Sequence, residues 1–385
     1  MVFRGIFRFK FCIVVSMLLF GATGAFATID DAPAPPKFAP VPTIDELNQE
    51  IRSGTLTGHA LADAYAQRAL WQLRQKQNLQ SAIDDLTHAI SIAGDARYFA
   101  LRGIAYMQLQ DQKNALVDFA AVVRLEPNSP RGHALRAGVF ASINDYQNYV
   151  VETDLIIAMS PNPLLVIEER AEFFFGKGLF ERAIADYTAA LKLNPAAADM
   201  LSNRGDARSG LHDYKGAMVD YDAAITMDPA GKLASYAKAN RAVTLFELGR
   251  FVEAADAAEK VADADPTDAY HLLWLEYTRQ RASHSDAADF ARRAQSIDKT
   301  KWPAAIIDYR LGTMSENDVF ADAEKATGDE KIGHVCEATF HIGLFKALGG
   351  DVALARPMIK RALEICPPGF TEYTAAFAVL QQMGS

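Results

Sequence analysis

RGDARSGLHDYKGAMVDYDAAITMDP (Arg204–Pro229) repeats the pattern of a stretch that lies thirty-four residues earlier. Small, aromatic and proline residues occupy the same places in both stretches. The matching pairs are Arg170/Arg204, Ala171/Gly205, Ala183/Ala217, Tyr187/Tyr221 and Pro195/Pro229. Self-similarity at a fixed period of this length is typical of a chain that stacks one small structural unit many times.

The same period extends well beyond these two stretches. An arginine followed by glycine or alanine stands at Arg68, Arg102, Arg136, Arg170 and Arg204, and again at Arg241 after a three-residue insertion. A proline closes the units at Pro127, Pro161, Pro195, Pro229 and Pro266. The period therefore predicts a repeat protein rather than a single globular core.

The residue types within one unit predict a pair of antiparallel helices. We number the positions of one unit so that the repeated arginine is position seven. Small residues at positions eight and twenty allow the two helices to approach closely, and the aromatic residue at position twenty-four fills the space beside them. The proline at position thirty-two cannot continue a helix and ends the second one. Each hairpin leaves one face uncovered, which its neighbour buries. We expect an all-α solenoid of about eight helical hairpins with a C-terminal capping helix.

An acidic residue recurs sixteen positions after the arginine. The predicted pairs are Arg68–Asp84, Arg102–Asp118, Arg136–Glu152, Arg170–Asp186 and Arg204–Asp220, whereas Arg241 meets Ala257 beside Asp256. Because the two positions lie nearly opposite each other in a hairpin, we expect partly buried ion pairs with a structural role. The alternative is a row of arginines that holds an anionic ligand.

These residues resemble the tetratricopeptide repeat, with "NRG" at Asn203 and "NRA" at Asn240. The resemblance covers Ala96 to Asp268 and a last unit from Cys336 to Gly369. It implies a groove, lined by the first helices, that binds a segment of another protein. The implied groove residues are Arg97, Arg131, Glu168, Glu169, Glu172, Phe175, Asp199, Asn203, Asp206, Tyr236, Asn240 and Phe246, with Leu101 and Ile104 beside the two arginines. Their character predicts a basic or apolar partner segment.

The N-terminus has the pattern of a signal peptide, with basic residues, an apolar run and small residues before a cleavage site after Ala27. We therefore expect a periplasmic or secreted protein without a stable membrane anchor. The predicted organisation is a signal peptide (1–27), a proline-rich linker (28–43), a short helix and turn (44–58), six hairpins (59–268), degenerate repeat-like helices (269–335), a last hairpin (336–369) and a C-terminal helix (370–385).

Composition argues against several functions. The formal net charge is −9, and removal of the three basic residues in 1–27 makes it −12. Such a chain, without a block of Lys and Arg, disfavours nucleic-acid binding. No catalytic or metal-binding motif is found, so we expect no enzyme, no cofactor and no metal site. Cys336 and Cys366 lie at the two open ends of the last hairpin, where a disulfide is plausible in an oxidising compartment.

The C-terminal third, including "DPTDAYHLLWLEY" and "EATFHIGLFKALGGDVALARPMIKRAL", is similar to the new lipoprotein I family of envelope adaptors. That family forms dimers and presents murein hydrolases to a protease, which implies an adaptor and a homodimer here. Its lipid-bearing cysteine is missing from this chain. Trp274, Trp302 and Tyr309 are expected to be core residues. The alternatives are an envelope assembly chaperone or an enzyme with an unrecognised centre in 269–331.

Overall fold

A computed structural model of the chain describes residues 42–76, 78–229 and 231–384. The predicted signal peptide and most of the linker lie outside these residues. The described residues form two compact units, which divide between Val166 and Ile167. They contain twenty α-helices, one short 3-10 turn and no strand, which confirms the predicted all-α class.

Helical hairpins make up most of both units. The first unit contains α1 (Ile44–Ser53), α2 (Gly58–Gln75), α3 (Leu79–Ile92), α4 (Ala96–Gln108), α5 (Gln112–Leu125), α6 (Arg131–Ser142) and α7 (Tyr146–Met159). The boundary falls within α8 (Pro163–Gly176). The hairpins of the second unit continue with α9 (Phe180–Leu193), α10 (Ala198–Gly210), α11 (Tyr214–Met227), α12 (Lys232–Glu247) and α13 (Phe251–Ala264).

Four helices follow these hairpins: α14 (Ala269–Arg281), α15 (Ala287–Arg293), α16 (Ala304–Arg310) and α17 (Glu316–Ala323). A final hairpin consists of α18 (Gly328–Leu348) and α19 (Val352–Ile365), and the last helix is α20 (Thr371–Gln382). Trp274 is buried in the core of this region, and Trp302 and Tyr309 pack against it, as predicted. Cys336 in α18 and Cys366 at the end of α19 form a disulfide. No helix in the described ranges is both long enough and apolar enough to cross a membrane.

The turn inside each hairpin repeats the same backbone conformation. One residue takes a positive φ at Gln110, Asn144, Gly178, His212, Gly249 and Gly350. In four of these hairpins an aspartate then caps the second helix, as when Asp213 accepts a hydrogen bond from the backbone nitrogen of Gly216 at 3.0 Å. A side chain that accepts from the first turn satisfies a donor that the helix leaves unpaired.

The two helices of a hairpin meet at small residues, as the sequence predicted. A Cβ atom at Gly103 would lie only 2.3 Å from Cε1 of Phe119, and one at Gly205 would lie 2.7 Å from Cε1 of Tyr221. Ala183 and Ala217 at position twenty are fully buried. The aromatic ring therefore lies directly on the backbone of the facing helix.

The predicted ion pairs join the two helices of a hairpin. The Nη2-to-carboxylate distances are 2.8 Å for Arg102–Asp118, 3.0 Å for Arg136–Glu152, 2.8 Å for Arg170–Asp186 and 2.7 Å for Arg204–Asp220. A further hydrogen bond from Nη1 of Arg102 reaches Thr87, and one from Nη1 of Arg204 reaches Thr188, both in the preceding hairpin. The arginines are thus structural and do not form a row that holds an anion.

Two positions depart from the predicted pairing. Arg68 pairs with Asp85 at 2.6 Å rather than with Asp84, which is exposed. The reason is that α2 continues seven residues past its arginine, whereas α4 continues only six past Arg102. Arg241 pairs with Asp222 of the preceding hairpin at 2.6 Å instead of with an acid of its own.

The burial of these carboxylates leads to a stability prediction that two neighbours on α11 can test. Asp220 has a side chain that is 2% exposed and pairs with Arg204 and Arg208, whereas Asp222 is 56% exposed. Asp220→Asn should lower the free energy of unfolding by about 3 kcal/mol, because two partly buried cations lose their partner. Asp222→Asn should cost less than about 1 kcal/mol. Urea denaturation followed by circular dichroism measures both, and equal losses would contradict a structural role for the buried pair.

Candidate functional site

The first helices of three consecutive hairpins build an open groove in the first unit. Residues of α2, α4 and the start of α6 line it, and its volume is about 460 Å³. Its apolar lining consists of Ala66, Leu70, Leu73, Leu101 and Ile104. The volume lies within the range of ~300–1,000 Å³ that is usual for ligand pockets.

The structure brings some of the predicted groove residues together here. Arg97 and Arg131 line the groove, as do Leu101 and Ile104. The sequence analysis missed the contribution of α2, including Asp63. Asp63 stands thirty-four residues before Arg97 and so occupies the equivalent position of the first hairpin. The repeat period could have identified it.

Arg97 is held by carboxylates of its own unit. Its Nη2 lies 2.8 Å from Oδ2 of Asp95 and 3.4 Å from Oδ1 of Asp63. Hydrogen bonds from Arg97 are the main cause that lowers the pKa of Asp95 below its ordinary value. Tyr98 donates a hydrogen bond to Asp63 at 2.6 Å, and burial together with this bond raises the pKa of Tyr98. The charge of Arg97 is therefore largely balanced.

Arg131 forms a longer ion pair than Arg97 does. It is the first residue of α6, and its side chain is only 14% exposed. The closest carboxylate oxygen, Oε1 of Glu126, lies 3.6 Å from Nη1. The Nε atom is enclosed, and no described residue accepts a hydrogen bond from it. Arg131 is thus a mostly buried, ion-paired cation in the lining of the groove.

In the second unit the C-terminal helix covers the side that the first helices of the hairpins form. Helix α20 packs against α10 and α12, which are first helices of their hairpins. Phe377 of α20 stacks on His212 with ring centroids 3.6 Å apart, and Gln382 donates a hydrogen bond to the carbonyl oxygen of Phe246 at 3.1 Å. Gly369, just before α20, lies against the ring of Phe175. The C-terminal segment therefore occupies the side on which a partner was expected.

Three predicted groove residues are consequently inaccessible in this structure. Phe175 is 5% exposed, Asn240 is 7% exposed and Phe246 is fully buried. They do not line an open groove, in contrast to the sequence-based expectation, because a segment more than 120 residues further along the chain packs near them. The remaining predicted residues of this unit are half-buried: Glu168, Glu169, Glu172, Asp199, Asn203, Asp206 and Tyr236.

A small polar cavity of about 30 Å³ remains beneath the C-terminal segment. Asp206, Asn240, Glu247 and Thr374 are among its lining residues. Asn240 donates a hydrogen bond to Asp206 at 2.7 Å, as does Tyr221, and Ser209 donates one to Glu247 at 3.1 Å. Burial raises the pKa of Asp206 to about 7 and that of Glu247 to about 8. Space for about one water molecule thus lies beside these two carboxyl groups.

Three acidic residues also lie close enough to influence one another in this unit. Burial is the main cause that raises the pKa of Glu168, and the charges of Asp199 and Glu172 add to it. Like charges in a partly buried setting favour a cation or a proton nearby. The predicted acidic stretch is therefore a real feature of the surface, while its use by a partner stays a prediction.

Stacked helical hairpins whose first helices form a groove define an all-α repeat architecture. A family model described as "Tetratricopeptide repeat" matches residues 170–232 and 211–269. Its match covers the hairpins in which the period of the sequence is clearest. Residues 170–269 thus consist of tetratricopeptide repeats.

Several solved structures are similar to parts of this chain. A tetratricopeptide repeat protein from Parabacteroides merdae is 15% identical, with 75% of this chain and 99% of that chain covered and a TM-score of 0.46. YrrB, described as a TPR protein with an unusual peptide-binding site, is 17% identical, with 51% and 99% covered and a TM-score of 0.36. Naa15/Naa10 bound to HypK-THB is 17% identical, with 88% and 52% covered and a TM-score of 0.44.

From the raised pKa values of Asp206 and Glu247, we expect the second unit to lose stability as the pH rises. Their contribution is complete below the ordinary pKa values of 3.8 and 4.5, and it is lost as the pH rises through about 7 for Asp206 and about 8 for Glu247. Calorimetry of the full chain between pH 5 and 9 should show a melting temperature that falls up to about pH 8 and is level above it. Glu247→Gln should remove about half of that fall, because the amide does not ionise.

A matched control is Glu253→Gln, which removes an acid that is 57% exposed and has a lowered pKa. It should leave the slope between pH 5 and 9 unchanged. A slope that is equally steep in the Glu247 variant would show that these carboxyl groups do not control the stability of the C-terminal segment.

Proposed function

We propose that this protein is a non-catalytic periplasmic scaffold that binds a segment of another cell-envelope protein in the groove of α2, α4 and α6. The observation that carries the proposal is the contrast between the two units. The inner side of the second unit is covered by α20, whereas the groove of the first unit is open and has an apolar floor. Exposed apolar surface in a concave site is typical of a binding surface.

Two features support a location outside the cytoplasm. The N-terminal sequence has the pattern of a signal peptide. The disulfide between Cys336 and Cys366 fits an oxidising compartment, in which such bonds persist. The resemblance of the C-terminal third to the new lipoprotein I family makes murein hydrolases or a protease the partners that we propose, and a homodimer the assembly.

The lining of the open groove favours an apolar partner segment. Leu70, Leu101 and Ile104 provide a surface that an aliphatic side chain can cover. A basic partner segment would instead need the acidic residues Glu168, Glu172 and Asp199 of the second unit. Because both surfaces belong to one chain, the two partner types are separable by substitution.

The helices of 269–331, where the repeat pattern is degenerate, are the region in which an unrecognised enzyme centre was considered. Glu276, its most deeply buried acid, is 1% exposed and accepts hydrogen bonds from Arg310 and Gln280. This arrangement is that of a structural ion pair within a core. The scaffold function does not require catalysis by any residue of this region.

Site-specific photocrosslinking tests the location of the partner site. A photoreactive amino acid at Leu101 in the groove should give discrete protein adducts in periplasm. The same residue at Val117, which is 63% exposed on the outer helix α5 of the same hairpin, should not. Adducts captured from position 104 should be lost when Leu101→Asp is introduced, because the charge disrupts the apolar floor. Identical adducts from both faces would contradict the proposal.

A further inference from the structure

We infer that the small polar cavity beneath the C-terminal segment is a calcium site, at which Ca²⁺ ties α20 to the first helices α10 and α12. The site lies in the second unit and does not depend on the groove to which the proposed function assigns a partner. It departs from the sequence-based expectation of no metal site, because its oxygen atoms come from three helices and form no sequence motif.

The spacing of residues on facing helices brings oxygen atoms together. Asn240, Thr244 and Glu247 are separated by four and three residues along α12, so they share one face of that helix. Asp206 of α10 and Thr374 of α20 line the same cavity of about 30 Å³. The described lining contains no histidine, cysteine, lysine or arginine. The polar groups of the cavity are therefore carboxyl, amide and hydroxyl groups.

Two acceptor atoms in this cavity are enclosed and lack a donor. Oδ1 of Asn240 and Oε1 of Glu247 accept no hydrogen bond from the part of the chain that the structure describes. Both residues are only 7% exposed. The amide nitrogen of Asn240 donates to Asp206 at 2.7 Å, and Oε2 of Glu247 accepts from Ser209 at 3.1 Å, so the two remaining oxygens are held in place. A buried acceptor without a partner costs free energy, which a bound cation would remove.

The chemistry of these oxygens favours Ca²⁺ among the common cations. Hard divalent ions prefer carboxylate, amide and hydroxyl oxygens, whereas soft metals select thiolate or imidazole. The carboxylates of Asp206 and Glu247 supply two negative charges when ionised, which one divalent ion balances. Mg²⁺ keeps several water molecules when it binds, and the cavity has space for about one. Ca²⁺ accepts about six to eight oxygens in irregular geometry, so it fits an enclosed site of this kind.

Protons compete with the cation for the two carboxylates. Burial raises the pKa of Asp206 to about 7 and that of Glu247 to about 8, and the charge of Asp206 adds to the shift at Glu247. The titratable neighbours are Tyr187, Tyr214 and Tyr221, whose pKa values are raised by burial, so they stay neutral. The lining residues of α20 and of the segment before it carry no charge. Ca²⁺ therefore binds poorly at pH 5 and well at pH 8.

Terbium luminescence tests the site on the full chain. Tb³⁺ takes the place of Ca²⁺ at oxygen sites and is excited through a nearby aromatic ring. Tyr221 is such a ring, since it donates a hydrogen bond to Asp206 at 2.7 Å. At pH 8 we expect sensitised emission that added Ca²⁺ removes. Emission lifetimes in H₂O and D₂O should show at most about one water molecule on the ion, because the cavity has no space for more.

Calorimetry measures the effect of the ion on the fold. About 2 mM CaCl₂ should raise the melting temperature by about 3 °C at pH 8, since a ligand that binds only the folded chain stabilises it. The rise should be absent at pH 5, where both carboxyl groups are protonated. MgCl₂ and NaCl at matched ionic strength should give less than about a third of the rise.

Substitutions locate the ion. Glu247→Gln and Asp206→Asn each remove one carboxylate with little change of size, and each should abolish the sensitised emission and the calcium-dependent rise. Asp265→Asn is the matched control, because Asp265, Asp268 and His271 form another group whose ligand atoms lie within 4.8 Å of one another. This control should leave both signals unchanged. Circular dichroism melting curves check that each variant folds.

Several results would overturn the calcium site. They are an equal effect of MgCl₂, several water molecules on Tb³⁺, a calcium response that persists in Glu247→Gln, and loss of the response in Asp265→Asn. A native chain that responds to no cation at pH 8 would show that the cavity holds only a water molecule, which donates to Asn240 and Glu247. These measurements are independent of crosslinking at Leu101, so failure of the calcium site leaves the proposed function to its own test.

Discussion

The close approach of two helix backbones is the constraint on which the rest of this protein depends. At Gly103 and Gly205 the aromatic ring of the second helix occupies the volume that a Cβ atom would need. The helices can then lie near enough for an arginine of one to reach an acid of the other. Because every hairpin repeats this crossing, the first helices are presented side by side, and the grooves of the protein are built from their exposed faces.

The arginine–carboxylate pairs add a second layer of specification. Replacement of a buried ion pair by apolar groups is often neutral for stability, so such pairs are better understood as fixing one arrangement among several. Here Arg102 and Arg204 contact both the acid of their own hairpin and a threonine of the preceding one. These contacts therefore help to fix the alignment of neighbouring hairpins as well as that of the two helices within one hairpin.

The sequence predicts this architecture well because its determinants are local and periodic. The helices, the small residues at the crossings and most ion pairs follow from spacings of sixteen and thirty-four residues. The error at Arg68 arose because one additional residue in α2 shifts the facing helix, which composition does not reveal. Arg97 and Arg131 were placed in the groove by the resemblance to the tetratricopeptide repeat.

The part that could not be predicted depends on contacts between distant segments. Nothing in the repeat around Phe246 indicates that Gln382, 136 residues away, covers it.

The covering helix α20 also changes which surface of the second unit a partner in solution can reach. An attached occupant is present at an effective concentration in the millimolar range, ~10³ times that of a partner at micromolar level. A ligand could displace α20 only if it bound this surface far more tightly than α20 does. A free helix of similar affinity would therefore be excluded from the surface by α20.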